Sequence, residues 1–113
     1  MPKAGEANPD RRPLPADRLP EGLEAYRSTP EFDEASVPAG LLRAHSTKAE
    51  VWGLIRVLEG RLLYKVTDHR RVATECLLAA DGKPGVVEPE ILHQVEPSGR
   101  VRFFVEFFRK PRG

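Results

Sequence analysis

The sequence is poor in cysteine, in long apolar runs and in excess charge of either sign. Cys76 is the single cysteine, so no disulfide can form within the chain and a reducing compartment suits it. Runs of about 18 apolar residues are lacking, as is an apolar N-terminal stretch of the secretory type, so we expect a cytoplasmic protein without membrane contact. The 18 basic and 17 acidic residues nearly cancel, which argues against a nucleic-acid partner.

Helical periodicity is also missing, since no window of about 12 residues repeats its apolar positions at helical spacing. Short segments rich in branched and aromatic residues alternate instead with Pro and Gly turn signals, which predicts an all-β sandwich or barrel. Glu59–Gly60 and Pro97–Gly99 are interpreted as turns. The eight predicted strands are Leu23–Arg27, Leu41–His45, Val51–Leu58, Arg61–Val66, Val72–Leu78, Gly85–Glu88, Ile91–Glu96 and Arg100–Phe108.

Composition divides the chain into a tail, one domain and a short end. Residues 1–18 hold four prolines and many charges, so we expect a flexible N-terminal tail whose removal leaves the melting temperature nearly unchanged. Residues 19–110 form the predicted β-barrel domain, and residues 111–113 form a charged C-terminal end.

The last predicted strand carries apolar residues on both faces. Phe103 and Phe107 share one face, and Phe104 and Phe108 share the other. A strand of this kind is covered on two sides, by the core and either by a second subunit or by the N-terminal segment. We therefore expect a homodimer.

Two histidines are the main candidates for a functional site. His45 and His93 each follow a turn marked by Pro or Gly, and a small β-barrel can bring two such segments to one interior point. Two imidazoles and one carboxylate can bind a transition metal in an open site. Glu50 is the first candidate for the third ligand, provided that a bulge turns it inward, and Glu106 is the alternative.

Three segments together resemble a known family: GLLRAHSTKAEVWGLIRVLEGRL, VVEPEILHQVEP and VRFFVEFFR. They are similar to the small cupin-like family related to the tellurite-resistance protein TehB, which includes YeaR-like stand-alone domains. The resemblance runs from Leu19 to Arg109 and implies a cupin-type double-stranded β-helix, that is, a jelly-roll barrel. Thr47 stands where metal-binding cupins usually have a second histidine.

Four further residues are candidates for ligand binding near the histidines. Arg43 and Lys48 could hold an oxyanion such as tellurite, or a carboxylate. The Thr47 hydroxyl could donate to a ligand or cap a short turn. Trp52 could be a ligand platform or a core residue.

The sequence is compatible with three functions. The first is a cupin domain that binds a small ligand or a metal and is linked to tellurite or oxyanion stress. The second is a metal-dependent cupin enzyme in which His45, His93 and a carboxylate hold one divalent transition metal, Zn, Fe or Ni. The third is a structural domain with a vestigial pocket. The expected partners are a small molecule or oxyanion and a second copy of the chain.

Overall fold

The computed structural model describes residues 10–112 and is all-β over this range, apart from one short 3-10 helix at Ala39–Leu42. Its strands form a six-stranded sheet in the order β1-β6-β3-β4, with β2 paired to β6 and β5 paired to β3. The strands are β1 (Glu24–Ser28), β2 (Phe32–Asp33), β3 (Trp52–Val66), β4 (Thr74–Ala79), β5 (Gly85–Val87) and β6 (His93–Arg109). The all-β prediction is confirmed. The cupin-type double-stranded β-helix is not confirmed, since these strands form an open antiparallel sheet.

The centre of the sheet is a long antiparallel ribbon of β3 and β6. It runs from the pair Trp52–Phe108 at one end to the pair Val66–His93 at the other. His93 is therefore the first residue of a 17-residue strand. No helix within residues 10–112 combines the length and apolarity that crossing a membrane requires.

Two predicted turns lie inside these long strands, so the turn predictions are wrong. Glu59–Gly60 falls within β3, and Pro97–Gly99 falls within β6. The register shifts on either side of Gly60, which has φ 75°. A glycine with positive φ suits a β-bulge as well as a turn, and a side chain here would overlap the Arg100 carbonyl oxygen. The bulge lets one continuous strand take the place of a hairpin.

The predicted strand Leu41–His45 is also absent. Pro38 is extended, and its carbonyl oxygen accepts a hydrogen bond of 3.0 Å from the Leu41 N–H, which opens the 3-10 helix. His45 follows this helix and pairs with the sheet as an isolated bridge. The helix thus replaces the strand but still delivers His45 to β6.

The core follows the alternation of β3 and β6. Val101 and Phe103 share one face of β6, as the period of two predicts, and the structure buries them, whereas Phe104 and Phe108 on the other face are only half-buried. Dimer contact through that second face stays a prediction. The buried apolar cluster comprises Ile55, Val57, Leu62, Tyr64, Val66, Leu78, Val87, Ile91, Val95, Val101 and Phe103.

The predicted N-terminal tail is described only in part, because residues 1–9 and 113 lie outside the described residues. Hydrogen bonds join its second half to the loops next to β3, β4 and β5, and in one of them Arg12 Nη1–H donates to the His69 carbonyl oxygen at 3.3 Å. The Val72 N–H donates to the Pro13 carbonyl oxygen at 3.0 Å, and the Ala16 N–H donates to Glu88 Oε1 at 3.0 Å. The domain boundary after residue 18 stays a prediction, but this part of the tail contacts the domain.

Candidate functional site

His45 and His93 meet through both their backbones and their rings. The N–H of each donates to the carbonyl oxygen of the other at 2.9 Å, in an antiparallel bridge. The bridge places the two side chains side by side, with ring centroids 4.2 Å apart and ring planes inclined at 55°. The structure therefore brings together the two histidines that the sequence singled out.

Each imidazole is oriented by the backbone carbonyl oxygen of the residue two positions before it. His45 Nδ1 lies 2.9 Å from the Arg43 carbonyl oxygen, and His93 Nδ1 lies 2.9 Å from the Ile91 carbonyl oxygen. A carbonyl oxygen can only accept, so both Nδ1 atoms carry a proton, and in a neutral ring Nε2 is left as an acceptor. Within residues 10–112 neither Nε2 has a hydrogen-bond partner, and no buried side-chain nitrogen is unsatisfied. Both Nε2 atoms therefore reach open space.

That space is a cavity of about 350 Å³ on the inner side of the sheet. Both histidines line it, and the sheet supplies mostly apolar walls. Exposed residues from β1 and from the segment after His45 complete the rim: Tyr26, Arg27, Ser46 and Lys48. The main wall residues are Ile55, Val87, Val95, Phe103, Val105 and Phe107.

His93, at the floor of the pocket, is uncharged at ordinary pH. His93 is only 4% exposed, and this burial, together with the neighbouring His45, lowers the pKa of His93 to about 4. The Tyr64 ring stands edge-on to the His93 ring, with the two ring centroids 5.8 Å apart, and the Tyr64 hydroxyl donates to the Val86 carbonyl oxygen. Burial raises the pKa of Tyr64, so it also stays uncharged.

The rim is positively charged. Arg27 and Lys48 line the pocket, and within residues 10–112 neither forms a salt bridge. Among the described residues, no aspartate or glutamate lines the pocket. The pocket therefore combines two imidazoles at its floor, apolar walls and cations at its opening.

The other predicted ligand-binding residues divide between the pocket and its surroundings. Thr47 and Lys48 line the pocket, and the Thr47 hydroxyl donates to the Val51 carbonyl oxygen at 2.7 Å, which supports its turn-capping alternative. Arg43 is exposed and Trp52 is half-buried, and neither lines this cavity. Their predicted ligand contacts stay predictions.

The predicted divalent metal is wrong. Glu50 is exposed in a turn with φ 66°, and the carboxylate of Glu106 is paired with Arg56. Within residues 10–112 no group of three or more His, Cys, Asp or Glu side chains is arranged to hold a metal ion. The residues around the two histidines thus do not fit Zn, Fe or Ni.

The sequence did not reveal the contribution of β1 to the site. Tyr26 and Arg27 reach the pocket because β1 pairs with the far end of β6. Strand order of this kind leaves no local sequence signal. The alternation of Phe103, Val105 and Phe107 was the available signal for the opposite wall.

The open antiparallel sheet and the histidine-floored pocket define a small all-β domain with an internal cavity. A family model described as the TehB-like domain matches residues 27–105, and the chain belongs to this family. The chain is also 26% identical over 100 residues to the uncharacterized protein YeaR of Escherichia coli (strain K12), covering 83% of this chain and 84% of that protein.

A second relative is much longer. The probable S-adenosyl-L-methionine-dependent methyltransferase TehB of Haemophilus influenzae (strain ATCC 51907 / DSM 11121 / KW20 / Rd) is 31% identical over 75 residues. The match covers 66% of this chain and 26% of that protein, so the chain spans about a quarter of its length.

Two solved structures are also similar to the structure of this chain. The crystal structure of TehB from Haemophilus influenzae superposes with a TM-score of 0.72 at 25% identity, over 80% of this chain and 32% of that one. A crystal structure of an Escherichia coli (strain K12) protein gives a TM-score of 0.73 at 26% identity, over 84% of this chain and 98% of that one.

These relatives correct the functional prediction. They are TehB and YeaR proteins, and the TehB relative is described as a methyltransferase that depends on S-adenosyl-L-methionine. The prediction of a metal- or ligand-binding cupin for oxyanion stress is therefore wrong, and so is its alternative, a metal-dependent cupin enzyme.

Proposed function

We propose that this chain is a substrate-holding domain for methyl transfer. Its pocket binds an organic molecule, which a methyltransferase domain or partner then methylates at the expense of S-adenosylmethionine. One observation carries the proposal: two imidazoles, each oriented through Nδ1, line a mostly apolar cavity of about 350 Å³. Concave apolar sites with a few convergent polar atoms are typical of small-molecule binding. The relationship to TehB supports methyl transfer as the reaction that this binding serves.

The pocket itself does not suit S-adenosylmethionine. That molecule has a net positive charge at neutral pH, because its sulfonium and ammonium groups outweigh its one carboxylate, and its ribose diol is a group that carboxylates bind well. The lining holds Arg27 and Lys48 but no carboxylate, so the rim repels a cation. We therefore assign the pocket to the methyl acceptor, and no step of the transfer is assigned to this chain.

A cupin-type double-stranded β-helix is not needed for this function, because the pocket uses only the β3–β6 ribbon and the segments that contact it.

We also propose a cytoplasmic location. Cys76 is the single cysteine and is exposed, a setting that favours a reducing compartment.

Saturation-transfer NMR with a library of aromatic and aliphatic fragments tests the binding step. Fragments are expected to bind the wild-type chain and to compete with one another. A pocket-filling variant, Val95→Phe, should abolish binding, whereas Leu77→Phe, at an exposed position of β4, should retain it. Fragment binding that survives Val95→Phe in a folded protein would overturn the assignment of the pocket.

The methyl-transfer step is tested separately with the Haemophilus influenzae relative. A compound that this pocket holds is expected to be methylated by that protein when S-adenosylmethionine is supplied. Calorimetry should also show that S-adenosylmethionine does not bind the present chain alone. Tight binding of S-adenosylmethionine that Val95→Phe abolishes would contradict the proposal.

A further inference from the structure

We infer that the ligand has three parts in a fixed order: a neutral hydrogen-bond donor, an apolar ring-sized body and an anionic group. A hydroxy-aryl carboxylate is the simplest molecule of this class. This inference rests on the proposed function and adds to it the chemistry of the molecule bound.

The donor is required by the floor of the pocket. The Nδ1 atoms of His45 and His93 each face a backbone carbonyl oxygen at 2.9 Å, so a neutral ring held in this way offers a ligand an acceptor at Nε2. A ligand oxygen that lacks a proton finds no hydrogen-bond donor there. A hydroxyl can donate to either Nε2, and the site therefore distinguishes an alcohol or phenol from its methyl ether.

The apolar body is required by the walls. Between the floor and the rim the cavity is bounded by branched and aromatic side chains of β3, β5 and β6, such as Ile55, Val87 and Phe103. These three are among the most buried residues of the domain. A polar middle section would lose its hydration without gaining hydrogen bonds.

The anionic group is favoured by the rim. Arg27 on β1 and Lys48 after His45 both line the opening, and neither is neutralised by a salt bridge within residues 10–112. A carboxylate at the exposed end of the ligand can bind these cations while staying partly hydrated. The floor and the rim thus select opposite ends of one molecule.

Three probes that differ in one group each test this order by isothermal titration calorimetry at neutral pH. They are 4-hydroxyphenylacetate, its ether 4-methoxyphenylacetate, which has no donor, and p-cresol, which has no anion. We expect 4-hydroxyphenylacetate to bind about tenfold more tightly than the ether, because the ether leaves buried acceptors without a donor. It should bind about three- to fivefold more tightly than p-cresol, since exposed charge pairs contribute little.

Variants assign each difference to a residue. Lys48→Met should remove the advantage of 4-hydroxyphenylacetate over p-cresol, whereas Lys83→Met, beside a different cavity, should preserve it. His45→Phe keeps a ring but removes Nε2, and it should remove most of the advantage over the ether. If His45→Phe does not fold, the comparison of the two compounds on the wild-type chain still decides the point.

The outcomes separate the inference from the proposed function. Equal affinity for all three probes, or no binding of any of them while library fragments bind the pocket, overturns the inference alone. Failure of every compound in both experiments overturns the proposed function as well.

Discussion

Asp68 holds Leu92, the residue that precedes His93, in a reciprocal arrangement of hydrogen bonds. Asp68 Oδ2 accepts from the Leu92 N–H at 2.9 Å, and the N–H of the neighbouring Thr67 donates to the Leu92 carbonyl oxygen at 3.1 Å. The Asp68 carboxylate has no exposed surface, and Arg70 binds it through two side-chain nitrogens. These Arg70 hydrogen bonds, followed by the bond from Leu92, hold the pKa of Asp68 well below its usual range. The loop after β3 thereby fixes the start of β6 and the position of His93.

Removal of the Asp68 charge should destabilise the loop that holds the start of β6, and with it the position of His93. In Asp68→Asn the hydrogen bonds to Arg70 and Leu92 lose their ionised acceptor, so we expect a loss of about 2 kcal/mol in the free energy of unfolding. Urea denaturation measures the loss, and the His93 ring signals in NMR report its displacement. Asp81→Asn, in an exposed turn, is the matched control and should change neither. Equal stability of the two variants would show that Asp68 does not hold the strand.

Stability should fall with acid in a window that belongs to His93. The pKa of His93 is lowered from 6.5 to about 4 by burial, so the unfolded chain takes up a proton at a higher pH than the folded chain. The corresponding stability is fully present above pH 6.5 and is lost as the pH falls toward 4. The full loss is about 3 kcal/mol. Melting temperatures measured at half-unit steps check the slope.

The control for this prediction is a histidine elsewhere. His93→Gln should flatten the slope between pH 6.5 and 4.5, whereas His69→Gln, at an exposed loop position, should retain it. Below pH 4 the two variants should lose stability alike, because Asp68 then takes up a proton in the unfolded chain while its depressed pKa keeps it ionised in the folded chain. An unchanged slope in a folded His93→Gln variant would assign the acid sensitivity to other groups.

The bulge at Gly60 should tolerate no side chain. Gly60 has φ 75°, and a Cβ atom would overlap the Arg100 carbonyl oxygen, so Gly60→Ala is expected to lose roughly 2–4 kcal/mol. Gly40→Ala is the control, since nothing lies within 4 Å of the Cβ position there. Chemical denaturation of both variants tests the difference. A wild-type midpoint for Gly60→Ala would mean that the ribbon is not bulged at this point.

For the N-terminal segment, composition and contacts predict different effects of truncation on the melting temperature. Composition predicts an unchanged melting temperature after deletion of residues 1–17, but this deletion removes the hydrogen bond that Pro13 accepts from Val72 and the one that Ala16 donates to Glu88. On the contacts we expect a drop of several degrees, at about 4–8 °C per kcal/mol. Deletion of residues 1–9 removes neither hydrogen bond and is the comparison. Equal melting temperatures for the two truncations would favour composition.

The period-two pattern made β6 predictable, but not its length. Val101, Phe103 and Val105 alternate with Arg102 and Phe104, and this places the first set inward wherever the strand pairs. The pattern does not show whether a glycine between two apolar runs ends a strand or bulges it. At Gly60 and Gly99 only the partner strand decides, because a bulge is defined by two residues that face one.

The site, too, could be predicted from the sequence only in part. His45 and His93 were identifiable from their residue type and their turn-marked surroundings. The third metal ligand was not, because Glu50 and Glu106 owe their positions to a turn and to Arg56. The apparent ligand set therefore contained residues that the fold keeps apart.

The sequence by itself determined the all-β class, the two faces of the last strand and the pair of histidines, because side-chain alternation and turn chemistry act over a few neighbouring residues. Only the tertiary structure decided that β1 supplies Arg27 to the rim and that no carboxylate joins the imidazoles. Strand order and the bulges depend on contacts between residues far apart in the chain, and such contacts leave no local pattern.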